Sequence, residues 1–219
     1  MPREQRETVS TGQDPEENLP GDCLADGGMD TENSEKPCEQ PDEANRVLDR
    51  LLEAHRTWFD VTRDYEYAGQ SFEGYAEFHS HGEKYVLVKK AKLWEVDAAE
   101  YIFFKQVDVL SDALLDELLE FMKTQAVGKV DPAPNHMKSY VSLVIIAKQL
   151  APGVDKRVTR SKFHKTYMFG LRGWAELRLC AVDLTSRRVL TNAEGKAMRH
   201  ALEENSGFAA RGNKREARR

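Results

Sequence analysis

The stretch Phe72-Glu73-Gly74-Tyr75-Ala76-Glu77-Phe78-His79 decides the fold. Phe72, Gly74, Ala76 and Phe78 fall on one side of an extended chain, and Glu73, Tyr75, Glu77 and His79 on the other. This is the two-residue period of a half-buried strand. Downstream, Ser80-His81-Gly82-Glu83 has the small, polar composition of a turn. Tyr85-Val86-Leu87-Val88 is apolar at consecutive positions, which suits a central strand buried on both faces and running on through Lys89 to Trp94. Tyr101-Ile102-Phe103-Phe104 reads as a third strand, and the three are expected to form an antiparallel meander.

Ahead of this stretch the spacing is helical. Val47, Leu51, Ala54 and Trp58 make one row and Leu48, Leu52, His55 and Phe59 the next, a broad apolar stripe on a helix of about four turns, with Asp42 placed to cap it. His55 lies within the stripe, which predicts a packing role rather than a ligand. After the meander, Ser111 opens a second helix, with Leu110 and Leu115 set as a hydrophobic staple. Leu114, Leu118, Leu119 and Met122 extend its core stripe, and Gly128 is the expected stop. Tyr140 to Ala147 reads as a buried strand, 153–160 as a short helix, 165–191 as a long strand or hairpin, and a last helix starts near Asn192. The order predicts one α+β domain over residues 44–205, a mostly antiparallel sheet with helices packed on one face.

Composition divides the 219 residues unevenly. Residues 1–43 hold thirteen acids against three bases and no Phe, Trp or Tyr; the whole chain carries −5, so the remainder carries +5. A segment with so little to bury cannot offset an ordering entropy of about 1–2 kcal/mol per residue, which predicts a disordered acidic tail. Residues 206–219 are polar and basic and are expected to fray. The longest apolar run, Leu143 to Ala147, is far short of the ~20 residues of a membrane span. The first residues lack the basic-then-apolar order of a secretory signal. Cys23, Cys38 and Cys180 have the spacing of neither a disulfide framework nor a zinc cluster. The expected location is cytoplasmic.

Three constellations carry candidate chemistry. The order helix, three strands, helix, strand resembles the core of the PD-(D/E)xK nucleases, which hold a divalent metal with an acid on one strand and an acid-x-Lys on the next. Glu77 supplies one acid, but Lys89-Lys90-Ala91-Lys92 and Phe103-Phe104-Lys105 both lack an acid two places before a lysine. Second, Glu77-Phe78-His79-Ser80-His81 sets metal-ligating types at alternate positions and resembles the His-x-His element of cupins. Glu83 follows too soon for that pattern and Gly82 implies a turn at His81, which leaves Glu77 and His79 as the candidate metal ligands of a metal-dependent hydrolase or a degenerate nuclease-like domain. Third, Arg172, Trp174, Glu176 and Arg178 alternate with Leu171, Gly173, Ala175, Leu177 and Leu179. Arg and Trp together have the composition of binding hot spots, and Lys89, Lys90 and Lys92 add charge for an anion. A charge of +5 over the 176 residues after the tail is a weak footprint for nucleic acid. Arg172, Trp174, Arg178, Lys90 and Lys92 are therefore the candidate binding residues, and their expected partner is a protein or an anionic ligand. No cofactor motif is present in the sequence.

Glu83-Lys84-Tyr85-Val86-Leu87-Val88-Lys89-Lys90-Ala91-Lys92-Leu93-Trp94 resembles a motif of an uncharacterised bacterial family, a domain of unknown function. Ser139-Tyr140-Val141-Ser142-Leu143-Val144, and Gly173-Trp174 followed by Ala181-Val182-Asp183-Leu184, support the resemblance, which covers residues 45–203. It implies a bacterial, intracellular origin and transfers no activity and no catalytic residue. The expectation is a non-enzymatic binding domain built on the Arg/Trp sheet face, with no membrane among its partners.

Overall fold

Helix α1 (Glu43–His55) forms where the apolar stripe places it, and Val47, Leu48, Leu51 and Leu52 are each at most 2% exposed. Burying such a side chain contributes about 1.5–3 kcal/mol. His55 packs edge-on against Phe59 and Phe104 and its Nδ1–H donates to the Leu51 carbonyl, the packing role its position predicts. Asp42 does not cap the helix through its side chain; its carboxylate pairs with Lys148 at 3.2 Å. The computed structural model describes residues 42–85, 92–134 and 136–208, with 80–85 and 92–98 described along the backbone alone. These residues belong to one compact unit, Gln40–Arg219. The acidic tail up to Pro41, the Val86–Ala91 segment and the basic stretch from Ala209 lie outside the described residues.

Strand β1 (Asp60–Tyr67) is one that the periodicity missed, because Arg63, Asp64 and Glu66 break up its apolar face. It pairs antiparallel with β2 (Gln70–Tyr85), and β2 pairs antiparallel with β3 (Lys92–Leu110). The meander is therefore real, with the strands expected at Phe72–His79 and Tyr101–Phe104 lying in β2 and β3 and paired directly; β1 is its additional strand, and the strand expected over 85–94 falls on the end of β2, the start of β3 and the residues between them that lie outside the described ones. The expected turn at Ser80–Glu83 is strand: Ser80 pairs with Ala98, His81 with Asp97, Gly82 with Val96 and Glu83 with Glu95. Long neighbouring strands supply the ladder that carries this polar, glycine-containing run in extended form.

After β3, Ser111 caps helix α2 (Asp112–Thr124) as its sequence indicates, its Oγ accepting from the Leu114 N–H at 3.2 Å, with Leu110 and Leu115 both fully buried. The helix ends at Thr124, earlier than expected, and Gly128 sits in the 3-10 turn Ala126–Lys129 that follows. Strand β4 (His136–Leu150) then lies parallel to β3. Next come α3 (Val154–Arg160), the three-residue strand β5 (His164–Thr166), β6 (Trp174–Asp183), β7 (Arg188–Thr191), a 3-10 turn Glu194–Met198, and α4 (Arg199–Asn205). The seven-stranded sheet runs β1-β2-β3-β4-β6-β5, with β7 also on β6. The outer pairings are antiparallel, and the two central ones, β3 with β4 and β4 with β6, are parallel.

Helices cover both faces of this sheet rather than one. Ile102, Phe104, Val144, Ile146, Cys180 and Val182 share a core with α1, whereas their neighbours Tyr101, Phe103, Leu143, Ile145, Leu179 and Ala181 share one with α2. Adjacent residues of a strand point to opposite faces, so the two cores lie on the two sides. Val141 to Ala147 is buried throughout for that reason, as central parallel strands are. Gly74 lets α1 approach the sheet: a Cβ there would lie 2.8 Å from Leu52 Cδ2.

Candidate functional site

The half of the sheet where β3, β4 and β6 begin is polar on both faces. On the α2 face, Tyr65 and Tyr67 from β1, Tyr75 and Glu77 from β2, and Tyr101 from β3 surround Lys129, delivered by the 3-10 turn after α2. The Lys129 Nζ lies 4.6–5.9 Å from the ring centroids of Tyr65, Tyr67, Tyr75 and Tyr101. It donates to the Tyr65 hydroxyl at 2.8 Å and stands 3.5 Å from Glu77 Oε2. Aromatic faces attract an ammonium, most strongly where water is excluded, and this side chain is 16% exposed.

Glu77 is the hub of the box. The Tyr75 hydroxyl donates to its Oε2, and His79 Nε2–H donates to its Oε1 at 2.6 Å. Burial pushes the carboxyl up, but the Tyr75 and His79 hydrogen bonds and the Lys129 charge outweigh it and hold Glu77 below the usual carboxylate range. Burial, and then the Glu77 hydrogen bond, hold the Tyr75 phenol far above its ordinary value. Burial and the charges of Glu77 and Asp131 push Tyr101 up to about 12. The two candidate metal ligands do meet, but the carboxylate is occupied by two hydrogen bonds with an ammonium beside it. That arrangement repels a second cation. Among the described residues no group of three or more His, Cys, Asp and Glu has the geometry to hold a metal ion.

The nuclease-like order also has its nearest counterpart on β2 and β3. Lys105 donates to Glu73 Oε1 at 3.4 Å and to the Ser71 carbonyl at 2.8 Å, while Glu73 Oε2 accepts the Gln106 N–H. The carboxylate takes up a backbone N–H just beyond Gly74–Phe104, where the β2–β3 pairing ends, and one acid beside one lysine is not the acid pair that cradles a metal.

On the α1 face, Trp174, Glu176 and Arg178 alternate with buried Ala175, Leu177 and Leu179, as the sequence predicts. Their charges are spent on one another. Arg178 pairs with Glu100 at 2.6 Å, and its guanidinium lies 3.2 Å from the Tyr140 ring centroid. Ser142 Oγ also donates to Glu100, and Lys138 pairs with Glu176 at 2.9 Å while standing 4.4 Å from Tyr140 and 5.9 Å from Trp174. Burial lowers the Lys138 pKa, but bonds to Tyr140 and Glu176 outweigh it and raise the value above that of a free lysine. His164, 52% exposed, stands 3.5 Å from Glu176 and 6.4 Å from the Trp174 ring.

Arg172 does not share this row. Strand β6 starts at Trp174, so Arg172 lies in the preceding turn, where its Nη1 donates to the Pro132 carbonyl and its own carbonyl accepts from His136 Nδ1–H at 2.7 Å. His136 is buried at the head of β4, and its Nε2 accepts from the Ser139 hydroxyl. Lys90 lies outside the described residues, and Lys92 is placed by its backbone alone as the first residue of β3.

The turn that holds Arg172 displays apolar side chains to solvent. Met168 is 57% exposed, Phe169 fully exposed and Leu171 81% exposed, with Met137 of β4 beside them at 50%. Met168 and Phe169 both have left-handed backbone, φ 47° and 54°, a conformation that costs an L-residue roughly 1–2 kcal/mol. Gly173, φ 70°, fastens the turn: a Cβ there would lie 2.2 Å from the Met137 carbonyl oxygen. Leu171 was expected among the core side chains, and it points outward because the strand has not yet begun. The pair of glycines at 170 and 173 was the available signal that it had not.

No helix among the described residues is long and apolar enough to cross a membrane. Comparison with curated proteins finds no match, and neither does comparison with solved structures. A family model described as a domain of unknown function (DUF8052) matches residues 43–204, so the chain belongs to that family.

Proposed function

We propose that this chain is a non-enzymatic interaction domain of the cytoplasm, and that its contact surface is the corner formed by the β5–β6 turn together with Trp174. The observation that carries this reading is the outward display of Met168, Phe169 and Leu171 on a turn with two left-handed non-glycine residues. Exposed apolar side chains clustered in one place mark contact sites on soluble domains, and strain retained in a fixed turn is a feature of ligand-contacting segments. The Arg178–Glu100 and Lys138–Glu176 pairs support the corner from behind, holding Tyr140 and Trp174 in place.

The partner is a protein surface with an apolar centre and an acidic rim. Six bases and no acid occur from Lys156 to Ala175, and Lys156, Arg160, Lys162 and Lys165 are exposed. A second copy of the chain would bring like charges together across a two-fold axis, which disfavours self-association. The test replaces Phe169 with a photoreactive phenylalanine analogue in the source cells. The reading requires a cross-linked protein whose capture falls as salt rises and disappears when the probe is moved to exposed Trp58. Equal cross-linking from both positions would refute it.

A further inference from the structure

Away from that corner, α1, the β6–β7 turn and the end of α4 enclose an open cavity of about 530 Å³. Arg46 and Arg50, one helical turn apart on α1, line it with Arg187 of the turn, the carboxylates Glu43 and Asp49, and Ser206 just beyond α4. The two carboxylates are already engaged. Glu43 stands 3.6 Å from Arg187, and Asp49 pairs with Arg63 of β1. Arg46 and Arg50 line the cavity, and among the described residues neither has an ion-pair partner.

Ser206 supplies an independent sign. The residue lines the cavity and is 2% exposed, and its buried Oγ has no hydrogen-bond partner among the described residues. A hydroxyl taken from water without a partner is costly, and native structures leave few such groups unexplained. The surrounding backbone does not compete for it. The Gly207 and Phe208 N–H groups close the end of α4 onto the Glu204 and Glu203 carbonyls, and Arg187 Nη2 donates to the Gly207 carbonyl with its guanidinium 4.8 Å from the Phe208 ring centroid.

We infer that this cavity binds the phosphate of a small phosphorylated molecule. Arg46 and Arg50 offer forked N–H donors that match phosphate oxygens in pairs, Arg187 closes the third side, and Ser206 Oγ donates the remaining hydrogen bond. The volume lies in the range of small-molecule sites, large enough for a phosphate with an attached group of several atoms.

Pyrophosphate is the probe, titrated calorimetrically into the full chain at low ionic strength with matched sodium chloride as reference. The expected result is one site, weakened at least tenfold by Arg46→Gln with Arg50→Gln and at least threefold by Ser206→Ala, and unchanged by Arg160→Gln with Lys162→Gln between α3 and β5. The arginines substituted are exposed, and an unaltered thermal midpoint without pyrophosphate verifies folding. Equal binding by wild type and the Arg46/Arg50 variant, or loss of binding in the Arg160/Lys162 variant, would overturn the inference. Sedimentation with phosphatidic acid vesicles distinguishes a lipid headgroup from a free compound. Vesicle binding without pyrophosphate binding would also overturn it.

Discussion

The Lys129 box and the β5–β6 corner share one half of the sheet and invert each other's chemistry. In the box, an ammonium and a carboxylate are drawn largely out of water, and both are partnered: the ammonium by four tyrosine rings and the Tyr65 hydroxyl, the carboxylate by Tyr75 and His79, and each by the other. In the corner, apolar side chains stand in water and the backbone that holds them is strained. A domain gains stability from the first arrangement and loses some through the second. Stability alone would not retain the corner, whereas a contact made there would. That contrast separates the part of the molecule that holds the fold from the part offered to a partner.

The largest effect should come from removing the fastening of the corner. Gly173→Ala places a Cβ against the Met137 carbonyl at a positive φ, and should cost about 3 kcal/mol or more in urea unfolding. A cost under 1 kcal/mol would mean that the turn is not pinned. Next, Lys129→Met should lower stability by about 2–4 kcal/mol, because Glu77 loses its partner while Tyr65 loses a donor. A neutral result would identify the box as incidental.

The box also carries a pH signature. The Glu77 carboxyl is lower in the folded chain than its ordinary 4.5, so the stability it contributes is present above that pH and is lost as pH falls through the folded value. Wild type should therefore lose more stability between pH 5 and pH 3 than Glu77→Gln in urea unfolding. Parallel curves would contradict the assignment. A smaller change of opposite sign is expected in the corner. Phe169→Gly relieves left-handed strain and removes an exposed ring, and should stabilise the fold by about 0.5–1 kcal/mol.

Much of this architecture was legible in the residues. Helical spacing placed α1, the Ser111 cap placed α2, and continuous apolarity placed the centre of β4, because each is a local signal with one dominant cause. The parallel pairings and the second covered face were not legible, since they depend on where α2 and α3 cross between the strands and no local pattern records that. The site reading divided in the same way. Alternation correctly put Trp174 on the same face of the strand as Arg178, yet it could not show that Glu100, seventy-eight residues away, already holds the guanidinium. Lys129 was invisible as the cation of the box because its tyrosines arrive from three strands, one of them masked by charge.

The most direct test measures the dissociation constant of the cross-linked partner for wild type and for Phe169→Ser with Leu171→Ser, together with the thermal midpoint of each chain. The account predicts an affinity loss of about 30-fold or more, equivalent to roughly 2 kcal/mol, with an unchanged or higher midpoint. Affinity within twofold of wild type, in a chain that remains folded, would contradict the claim that the corner is the contact surface.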